Sequence, residues 1–329
     1  MTTELRQPAP ELQLSVRQSW QRFLDVYEPL RPELYRYCRY LTRSPWDAED
    51  LVQDTLGRAF VTLGRLFREP PNPRAWLFRV ASNLWIDRKR GQREEPLHAE
   101  PAAHVDPRGA REAAGTLMAR LSPQERAAVV LKDVFEFSLE EVAEALLTSV
   151  GTVKTALHRG RGKLEATVAE SAGERESPAA RATLDAFCAA FNARDMDRLT
   201  ALLLDTSVVE IAGLVTEYGP DAARDPYTGS FTGSLAPITR DERGGVGERY
   251  LEGYVPGPPR AEIREYRGEL VLLFFCAHVD GDAVRSVVRV VTDGDRVARL
   301  VNYFFTPEVV AEICGELGVP CRSNGYRYW

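Results

Sequence analysis

Residues 149–164, SVGTVKTALHRGRGKL, concentrate cationic and hydroxyl side chains in a chain whose formal net charge is −6. At about 100° per residue, the apolar positions share one face of a helix, and the polar positions lie opposite or on the flanks. Such a polar face could neutralise phosphates and hydrogen-bond to base edges in the major groove of DNA. It could also be the solvated face of an ordinary amphipathic helix. The candidate DNA contacts are Ser149, Thr152, Lys154, Thr155, His158, Arg159 and Lys163.

The residues before this stretch favour DNA binding. Ser138 and Glu141 have the spacing of a capping box, in which each side chain accepts a hydrogen bond from the other residue's backbone N–H at a helix start. Ser149 can cap the following helix, and only Leu147 and Thr148 separate it from the first one. Two short helices joined by so tight a turn are typical of a helix-turn-helix, whose second helix enters the major groove.

Charge and cysteine content narrow the class of protein. Residues 1–176 hold 26 Lys and Arg against 26 Asp and Glu, so the net charge of −6 belongs to residues 177–329. A neutral N-terminal part with local basic clusters is compatible with DNA binding. Five cysteines without CxxC spacing argue against a disulfide framework and a zinc site, and we expect no metal and no cofactor. Because we find neither a signal peptide nor a membrane span, we expect a cytoplasmic protein.

Periodicity and composition divide the 329 residues into three domains and two linkers. Residues 15–92 are predicted to be helical, and the polar residues 93–112, with scattered Pro and Gly, to form a linker. Helical patterning covers 113–167, a second linker covers 168–180, and residues 181–329 form the last domain.

Helix starts can be placed within the first two domains. Asp47 is expected to cap one long helix and Asn72 to cap the next, which has Pro73 in its first turn. Ser122 begins a second capping box. On the helix after Asn72, Trp76 is interpreted as a core residue, whereas the position of Trp85 stays open.

The last domain changes from helical to strand patterning along its length. Residues 184–191 and 199–204 have helical apolar spacing, whereas 218–259 are rich in Gly and Pro and predict an irregular insertion. Apolar, β-branched runs separated by Asp-Gly and Gly-Asp turns then predict hairpins. The predicted strands are 261–266, 269–279, 284–292 and 296–305, followed by a helix over about 307–317. This order predicts an α+β domain with a curved antiparallel sheet.

Three stretches resemble, in the same order, the extracytoplasmic-function (ECF) branch of the sigma-70 family. AEDLVQDTLGRAF at 48–60 is similar to the segment with which these factors grip the clamp of RNA polymerase. RAWLFRVASNLWIDRKR at 74–90 is similar to the segment that binds the promoter −10 element. Residues 121–146 and 151–164 resemble the −35-binding helix-turn-helix. The resemblance implies sigma-70 regions 2 and 4, both all-α, with core RNA polymerase and promoter DNA as partners.

The resemblance also assigns roles to particular residues. A −10 reader must hold a melted strand, which requires cations for phosphates and polar groups for an unstacked base. The −10 candidates are Arg79, Asn83, Lys89 and Arg90. The core-polymerase candidates, all interpreted as lying outside the apolar stripe of their helix, are Glu49, Asp50, Gln53 and Asp54. A merely solvated face is the alternative for these four residues.

Two positions depart from the pattern of the family. Leu147 stands where the turn commonly has Gly, which raises the cost of a left-handed backbone conformation. Ala156 stands where a long polar residue is frequent, which we expect to remove a DNA contact.

Residues 181–318 are similar to the SnoaL-like fold, a cone of helices against a curved sheet. AFCAAFNARDMDRLTALL at 186–203 and DGDRVARLVNYFFTPEVVAEICGELG at 293–318 carry this resemblance. It implies a domain that regulates the sigma domains. We expect this regulation to involve intramolecular contact. Binding of a small-molecule ligand is the alternative, and the sequence does not identify the ligand.

Catalysis by this last domain is not expected. Enzymes of the SnoaL-like fold use Asp, His or Tyr pairs, but the domain has a single histidine, His278. Asp205, Glu210 and Glu217 are better explained as turn or surface residues, so we predict no catalytic residues.

The sequence therefore predicts a multidomain protein with two all-α domains and a C-terminal α+β SnoaL-like cone, acting as a sigma factor with a regulatory tail. Two alternatives remain open. One is a ligand-responsive helix-turn-helix regulator, and the other is a SnoaL-like enzyme fused to a DNA-binding part. The stretches at 48–60 and 74–90 favour the sigma factor, because a simple regulator needs neither.

Overall fold

A computed structural model describes residues 10–65, 70–94, 121–165, 178–225, 230–231, 259–278, 280–322 and 324–326. These residues form two compact units, one up to residue 165 and one from residue 178. Among them, no helix has the length and apolar content needed to cross a bilayer. The first unit is helical and the second is α+β, so the predicted multidomain fold class is confirmed. The predicted linkers fall mostly outside the described residues, and their described parts, 93–94 and 178–180, are helical.

The first half of the first unit is built from long helices. They are α1 (Pro10–Tyr27), α2 (Arg31–Thr42), α3 (Pro45–Leu63) and α4 (Pro73–Glu94). Ser44 caps α3 by accepting the N–H of Asp47 at 3.3 Å, so the prediction of Asp47 as the cap was wrong. Asp47 lies instead in the first turn, where a carboxylate interacts favourably with the helix dipole. Asn72 caps α4 as predicted, since its Oδ1 accepts the N–H of Ala75 at 3.0 Å.

Helices α2, α3 and α4 share a core of apolar and aromatic side chains. Tyr37 on α2 stacks on Phe78 of α4 with ring centroids 4.7 Å apart, and both residues are buried. Trp85, which the sequence left open, is 2% exposed and belongs to the interior. Trp76, predicted as a core residue, is only half-buried. Packing against the buried faces of α2 and α3 therefore fixes the orientation of α4.

The second half of the first unit contains the helix-turn-helix. It consists of α5 (Pro123–Val129), a π-helical turn (Val130–Val134), α6 (Leu139–Ala145) and α7 (Val150–Glu165). The capping boxes at Ser122 and Ser138 are both formed, and Ser149 caps α7 by accepting the N–H of Thr152 at 3.1 Å. Leu147, in the turn between α6 and α7, has the positive φ of 50° for which glycine is usually preferred.

Gly160 on α7 offers a test of how tightly the helix-turn-helix is packed. A Cβ at Gly160 would lie 2.8 Å from Cγ2 of Val129, whereas a Cβ at Gly162 meets nothing within 4 Å. Alanine in a helix interior is better than glycine by about 1 kcal/mol, but overpacking costs about 1–3 kcal/mol. We expect Gly162→Ala to raise the free energy of unfolding above that of the unaltered chain. The free energy of unfolding of Gly160→Ala should be lower than that of Gly162→Ala. Urea denaturation measures both values. Equal values for the two variants would contradict the packing of α7 on α5.

The second unit begins with helices and ends in a six-stranded sheet. Its helices are α8 (Pro178–Asn192), α9 (Met196–Ala201), α10 (Gly219–Arg224) and α11 (Pro307–Leu317). Its strands are β1 (Leu203–Ile211), β2 (Val215–Tyr218), β3 (Arg260–Tyr266), β4 (Glu269–His278), β5 (Gly281–Asp293) and β6 (Arg296–Tyr303). The strand order is β2-β1-β6-β5-β4-β3. The last four strands and the final helix agree closely with the prediction.

Two features of this sheet differ from the sequence expectation. Strands β1 and β2 were not predicted, since 199–204 were expected to continue a helix, which in fact ends at Ala201. In addition, β1 pairs with β6 in parallel, so the sheet is mixed rather than antiparallel. The N–H of Val297 donates to the carbonyl of Leu202 at 2.8 Å, which draws the chain out of the helix and onto the sheet. The predicted insertion at 218–259 lies largely outside the described residues.

One face of this sheet is covered by α8. Phe187 and Phe191 of α8 are buried in a core with Leu272, Phe274 and Val288 of the central strands, and the Phe191 and Phe274 ring centroids are 4.4 Å apart. The unit thus has the order that the SnoaL-like resemblance implies, with helices packed against one face of a sheet.

Candidate nucleic-acid interface

Helix α7 presents one polar face to solvent and one apolar face to the rest of the helix-turn-helix. The seven predicted −35 contacts, Ser149, Thr152, Lys154, Thr155, His158, Arg159 and Lys163, are all exposed. Val153, Leu157 and Gly160 are buried on the opposite face, as the helical periodicity predicted. Ala156 is also buried, so this position faces inward. An alanine here therefore takes no side chain away from the exposed face.

The cations of α7 differ in how strongly they are already engaged. Lys163 lies 2.6 Å from Glu125, and Arg161 makes a two-point pair with Asp133 at 2.5 and 3.0 Å. Lys154 and Arg159 make no ion pair with any residue that the structure describes. An ion-paired cation must give up its partner before it can hold another anion, so Lys154 and Arg159 are the cations of α7 most accessible to an anionic partner.

The predicted −10 residues lie along α4 with different surroundings. Arg79, Asn83 and Arg90 fall within one stripe of the helix, at spacings of four and eleven residues, whereas Lys89 lies to one side of it. Arg79 is held by Glu144 of α6 at 3.4 Å. Asn83 and Lys89 are half-buried, and Arg90 is exposed, 3.7 Å from Asp87.

Helix α4 is covered on one side by the helix-turn-helix half, in what we call the closed contact. At its centre is Phe135, which follows the π-helical turn and is 8% exposed. Its ring centroid lies 5.7 Å from Tyr37, 6.4 Å from Tyr40 and 5.1 Å from Phe78, all on α2 or α4. Phe137 stacks on Phe78 at 5.4 Å. The closed contact is therefore an aromatic cluster shared by the two halves.

Two arginines reinforce the closed contact. Arg74 makes a two-point pair with Glu33 at 2.8 and 2.5 Å while its guanidinium lies 4.6 Å over the ring of Phe137. Arg126 of α5 donates to the carbonyl of Leu41 at 2.6 Å and lies 5.2 Å over Trp85. Burial, with the nearby charge of Arg43, lowers the pKa of Arg126 to about 10. Arg126 therefore stays charged at neutral pH, and both of its contacts join the two halves.

The four predicted polymerase contacts on α3 divide into two kinds. Glu49 was expected on the outer face, and this was wrong: it is 1% exposed and forms a buried ion pair with Arg31. Gln53 is half-buried and donates to Glu49 at 2.7 Å. Asp50 and Asp54 are exposed, and Asp54 forms an ion pair with Arg88 of α4. Glu49 would thus have to leave its buried pair before it could reach a partner, whereas Asp50 and Asp54 lie on the exposed side of α3.

Removing one partner of the Arg31–Glu49 pair tests its structural role. A buried charge that loses its partner costs about 3–5 kcal/mol, so Glu49→Ala is expected to lower the free energy of unfolding by roughly that amount. Asp50→Ala, a neighbouring carboxylate on the exposed side, should change it by no more than about 0.5 kcal/mol. Urea denaturation of both variants makes the comparison, and a Glu49→Ala chain as stable as Asp50→Ala would contradict the burial of the pair.

The candidate acids of the second unit do not converge. Glu217 is buried and accepts from the backbone N–H and the hydroxyl of Ser230 at 2.9 and 2.5 Å, and burial raises its pKa. Glu210 pairs with Arg299 at 2.9 Å, and Asp205 is exposed. The cavity lined by residues of β1, β4 and β6 has a volume of about 10 Å³, which leaves room for at most a single water molecule. Within the described ranges, no cluster of His, Cys, Asp and Glu has a metal-binding arrangement.

The closed contact is the structural feature beside α4 that sequence reasoning missed. Phe135 and Phe137 stand between two helices in the FEF sequence at 135–137, where exposed aromatic residues would be unusual. This FEF sequence indicates that the two rings are buried against another part of the protein. It does not indicate which helix covers them.

Comparison with known proteins gives two family matches. Sigma-70 region 2 matches residues 26–95, and Sigma-70, region 4 matches residues 111–164. The first match contains α2, α3 and α4, and the second contains the helix-turn-helix.

Individual relatives agree with these matches. The ECF RNA polymerase sigma factor SigG of Mycobacterium tuberculosis is 33% identical over 250 residues, which is 64% of this chain and 64% of SigG. The chain thus spans less than two thirds of the length of SigG. SigJ of M. tuberculosis is 30% identical over 298 residues, covering 78% of this chain and 92% of SigJ. The SigJ crystal structure covers 85% of this chain and 95% of its own, with 22% identity and a TM-score of 0.34. With the similarity to SigJ extending over nearly all of that protein, the chain belongs to the family of ECF RNA polymerase sigma factors.

Proposed function

We propose that this chain directs core RNA polymerase to promoters, with α7 reading the −35 element and α4 binding the −10 element. The observation that carries the proposal is the exposed polar face of α7, on which Lys154 and Arg159 make no ion pair with described residues. Its partners are core polymerase and promoter DNA, and its place of action is the cytoplasm. The second observation is α4, whose stripe of Arg79, Asn83 and Arg90 suits a melted strand.

Use of both elements requires the closed contact to open. Positions −10 and −35 are about 25 base pairs apart, or about 85 Å of duplex at 3.4 Å per pair. A compact unit of about 150 residues has a radius of gyration of only about 15 Å. The 26 residues at 95–120 span at most about 90 Å when fully extended. Separation of the two halves on this tether therefore brings both helices within reach of their elements.

The experiment that tests the proposal is a transcription assay. Purified chain is added to core polymerase with a genomic library of promoter fragments, and start sites are mapped with and without the chain. New, specific start sites are expected with it. If no truncation or full-length form associated with core polymerase, the chain would act as a helix-turn-helix regulator instead, and the proposal would be overturned.

The second unit is proposed to regulate the first by intramolecular contact, without catalysing a reaction. The separation of the acidic side chains Asp205, Glu210 and Glu217 into different surroundings supports a binding role over an enzymatic one. The cavity lined by Glu210, Phe274 and Asn302, with a volume of about 10 Å³, is too small for a small-molecule ligand.

Removing residues 177–329 tests the regulatory role. The remaining chain keeps the whole first unit, and the net charge of −6 is removed with the second. If the second unit covers DNA-binding surfaces, output in the core-polymerase assay should rise by several-fold, since the competent fraction of the chain increases. Unchanged output at equal chain concentration would remove the regulatory claim while leaving promoter recognition intact.

A further inference from the structure

A cleft with a volume of about 230 Å³ lies at the edge of the closed contact. One wall comes from α2, where Glu33, Arg36 and Tyr40 share a helix face at spacings of three and four residues. The facing wall is the segment that follows the π-helical turn, with Phe135 and Glu136. Because the two walls belong to the two halves of the first unit, the cleft exists only while the closed contact holds.

Two of the charged groups in the cleft already satisfy each other. Arg74 of α4 also lines the cleft, and it donates to both carboxylate oxygens of Glu33, at 2.8 and 2.5 Å. These hydrogen bonds hold the pKa of Glu33 below its usual value, so its carboxylate stays ionised and bonded at neutral pH. The pair contributes no net charge, and the charges of a ligand must therefore be met by other side chains of the cleft.

One cation and one carboxylate of the cleft make no ion pair with any residue that the structure describes. The cation is Arg36, which is exposed and whose guanidinium carbon lies 5.8 Å from the ring centroid of Phe135. The carboxylate is that of Glu136, which is also exposed. Glu136 has a positive φ of 59°, a strained conformation that is frequent in residues that hold ligands. The cleft thus presents one positive and one negative group to a ligand.

Aromatic rings form the apolar part of the cleft. The rings of Tyr40 and Phe135 are nearly perpendicular, at 88°, with their centroids 6.4 Å apart. Tyr40 is 40% exposed, so part of its ring is open to a ligand. A cavity of about 150 Å³ holds one benzene molecule. The larger volume of this cleft is therefore sufficient for one aromatic ring that carries a short charged chain.

We propose that this cleft binds a small aromatic zwitterion of the size and charge of an aromatic amino acid. Its carboxylate pairs with Arg36 and its ammonium group pairs with Glu136, while its ring lies against Tyr40 and Phe135. A ligand that binds only the closed form stabilises that form by mass action. The ligand therefore acts as an inhibitor of the sigma domains. Binding itself does not depend on promoter recognition, whereas the inhibition rests on the proposed function.

Calorimetric titration of the full chain tests binding with three probes that differ by one charged group. L-phenylalanine carries both charges, 3-phenylpropanoate lacks the ammonium group, and 2-phenylethylamine lacks the carboxylate. L-phenylalanine is expected to bind with a Kd below about 1 mM. Each of the other two probes should bind at least about tenfold more weakly, because each loses a hydrogen bond between charged groups.

Matched variants locate the binding site. Arg36→Gln and Glu136→Gln should each weaken the binding of L-phenylalanine by at least about tenfold. Arg58→Gln on α3 and Glu140→Gln on α6 remove the same charges at exposed positions outside the cleft, and they should leave the Kd unchanged. Because all four side chains are exposed, all four variants should remain folded. An undetectable affinity for L-phenylalanine, equal affinities for the three probes, or unchanged binding by Arg36→Gln and Glu136→Gln would overturn the proposal.

The core-polymerase assay tests the effect of the ligand on transcription. Saturating L-phenylalanine should lower the output of the unaltered chain several-fold, since it increases the closed fraction. It should not lower the output of Phe135→Ala, in which the closed contact is open. Output of the unaltered chain that does not respond to saturating L-phenylalanine would overturn the inhibition. If the chain gave no start sites at all, promoter recognition would fail instead, and the titrations would still decide whether the cleft binds the zwitterion.

Discussion

Replacing Lys154 or Arg159 with alanine is expected to weaken binding to −35 DNA by about tenfold to a hundredfold each, because one good base contact contributes about 1–3 kcal/mol. The double variant should lose more than either single variant. If the lost contact is to a phosphate, the slope of log affinity against log salt concentration falls by about 0.9. Both side chains are exposed, so the free energy of unfolding should be unchanged. Fluorescence anisotropy with a −35 duplex, taken from a mapped start site and measured at several salt concentrations, gives both quantities.

Arg161→Ala is the matched control for these variants. Arg161 is an exposed cation on the same helix, but it pairs with Asp133 and lies outside the proposed contact set. Its removal changes the charge of α7 by the same amount, so any general electrostatic attraction falls equally in all single variants. If Arg161→Ala weakened binding as much as Lys154→Ala and Arg159→Ala do, the polar face of α7 would be a general cationic surface and not a reader of DNA sequence.

Replacing Phe135 with alanine is expected to open the closed contact. Among the described residues, the ring of Phe135 packs on Tyr37, Tyr40 and Phe78 of α2 and α4. Phe→Ala changes in well-packed sites cost about 3–5 kcal/mol. That cost falls on the association of the two halves, so the ratio of closed to open chain should drop by about a hundredfold or more. Amide hydrogen exchange should accelerate across the buried part of α4, and transcription should reach half of its maximum at a lower concentration of chain.

Val134→Ala is the control for Phe135→Ala. Val134 is the preceding residue and is exposed, so its truncation removes little buried surface. Hydrogen exchange in α4 should match that of the unaltered chain. Equal exchange in Phe135→Ala and Val134→Ala would show that Phe135 does not hold the two halves together.

Local features of this fold were predictable from the sequence because they depend on neighbouring residues. The helix-turn-helix was predicted from the capping box of Ser138 and Glu141 and from the Ser149 cap. Its exposed face was predicted from the helical spacing of Val153, Leu157 and Gly160. The Asp-Gly turns gave β4, β5 and β6 within a few residues. In each case the hydrogen bonds or apolar stripe that fix the element lie within it or beside it in the sequence.

Features that depend on distant residues were not predictable in this way. Glu49 lies on the polar side of its helix by periodicity, yet Arg31, eighteen residues earlier, covers it. Strand β1 follows an apolar helical pattern and exists because β6, far along the chain, pairs with it in parallel. The closed contact similarly joins Phe135 to Tyr37 and Phe78. A single sequence carries no information on which of several apolar or charged partners a side chain meets.

The separation between α1 and α7 can be measured by energy transfer between dyes on azide-bearing residues introduced at Val26 and Gly162. Val26 is exposed on α1, and a side chain at Gly162 meets nothing within 4 Å, so both labels should be tolerated. In the free chain, the two dyes are expected within the dimensions of one compact unit, about 40 Å. In the complex with core polymerase and promoter DNA, the distance should lengthen by tens of ångströms as α4 and α7 reach separate elements. A transcribing complex in which the distance equals that of the free chain would contradict promoter recognition by two separated helices.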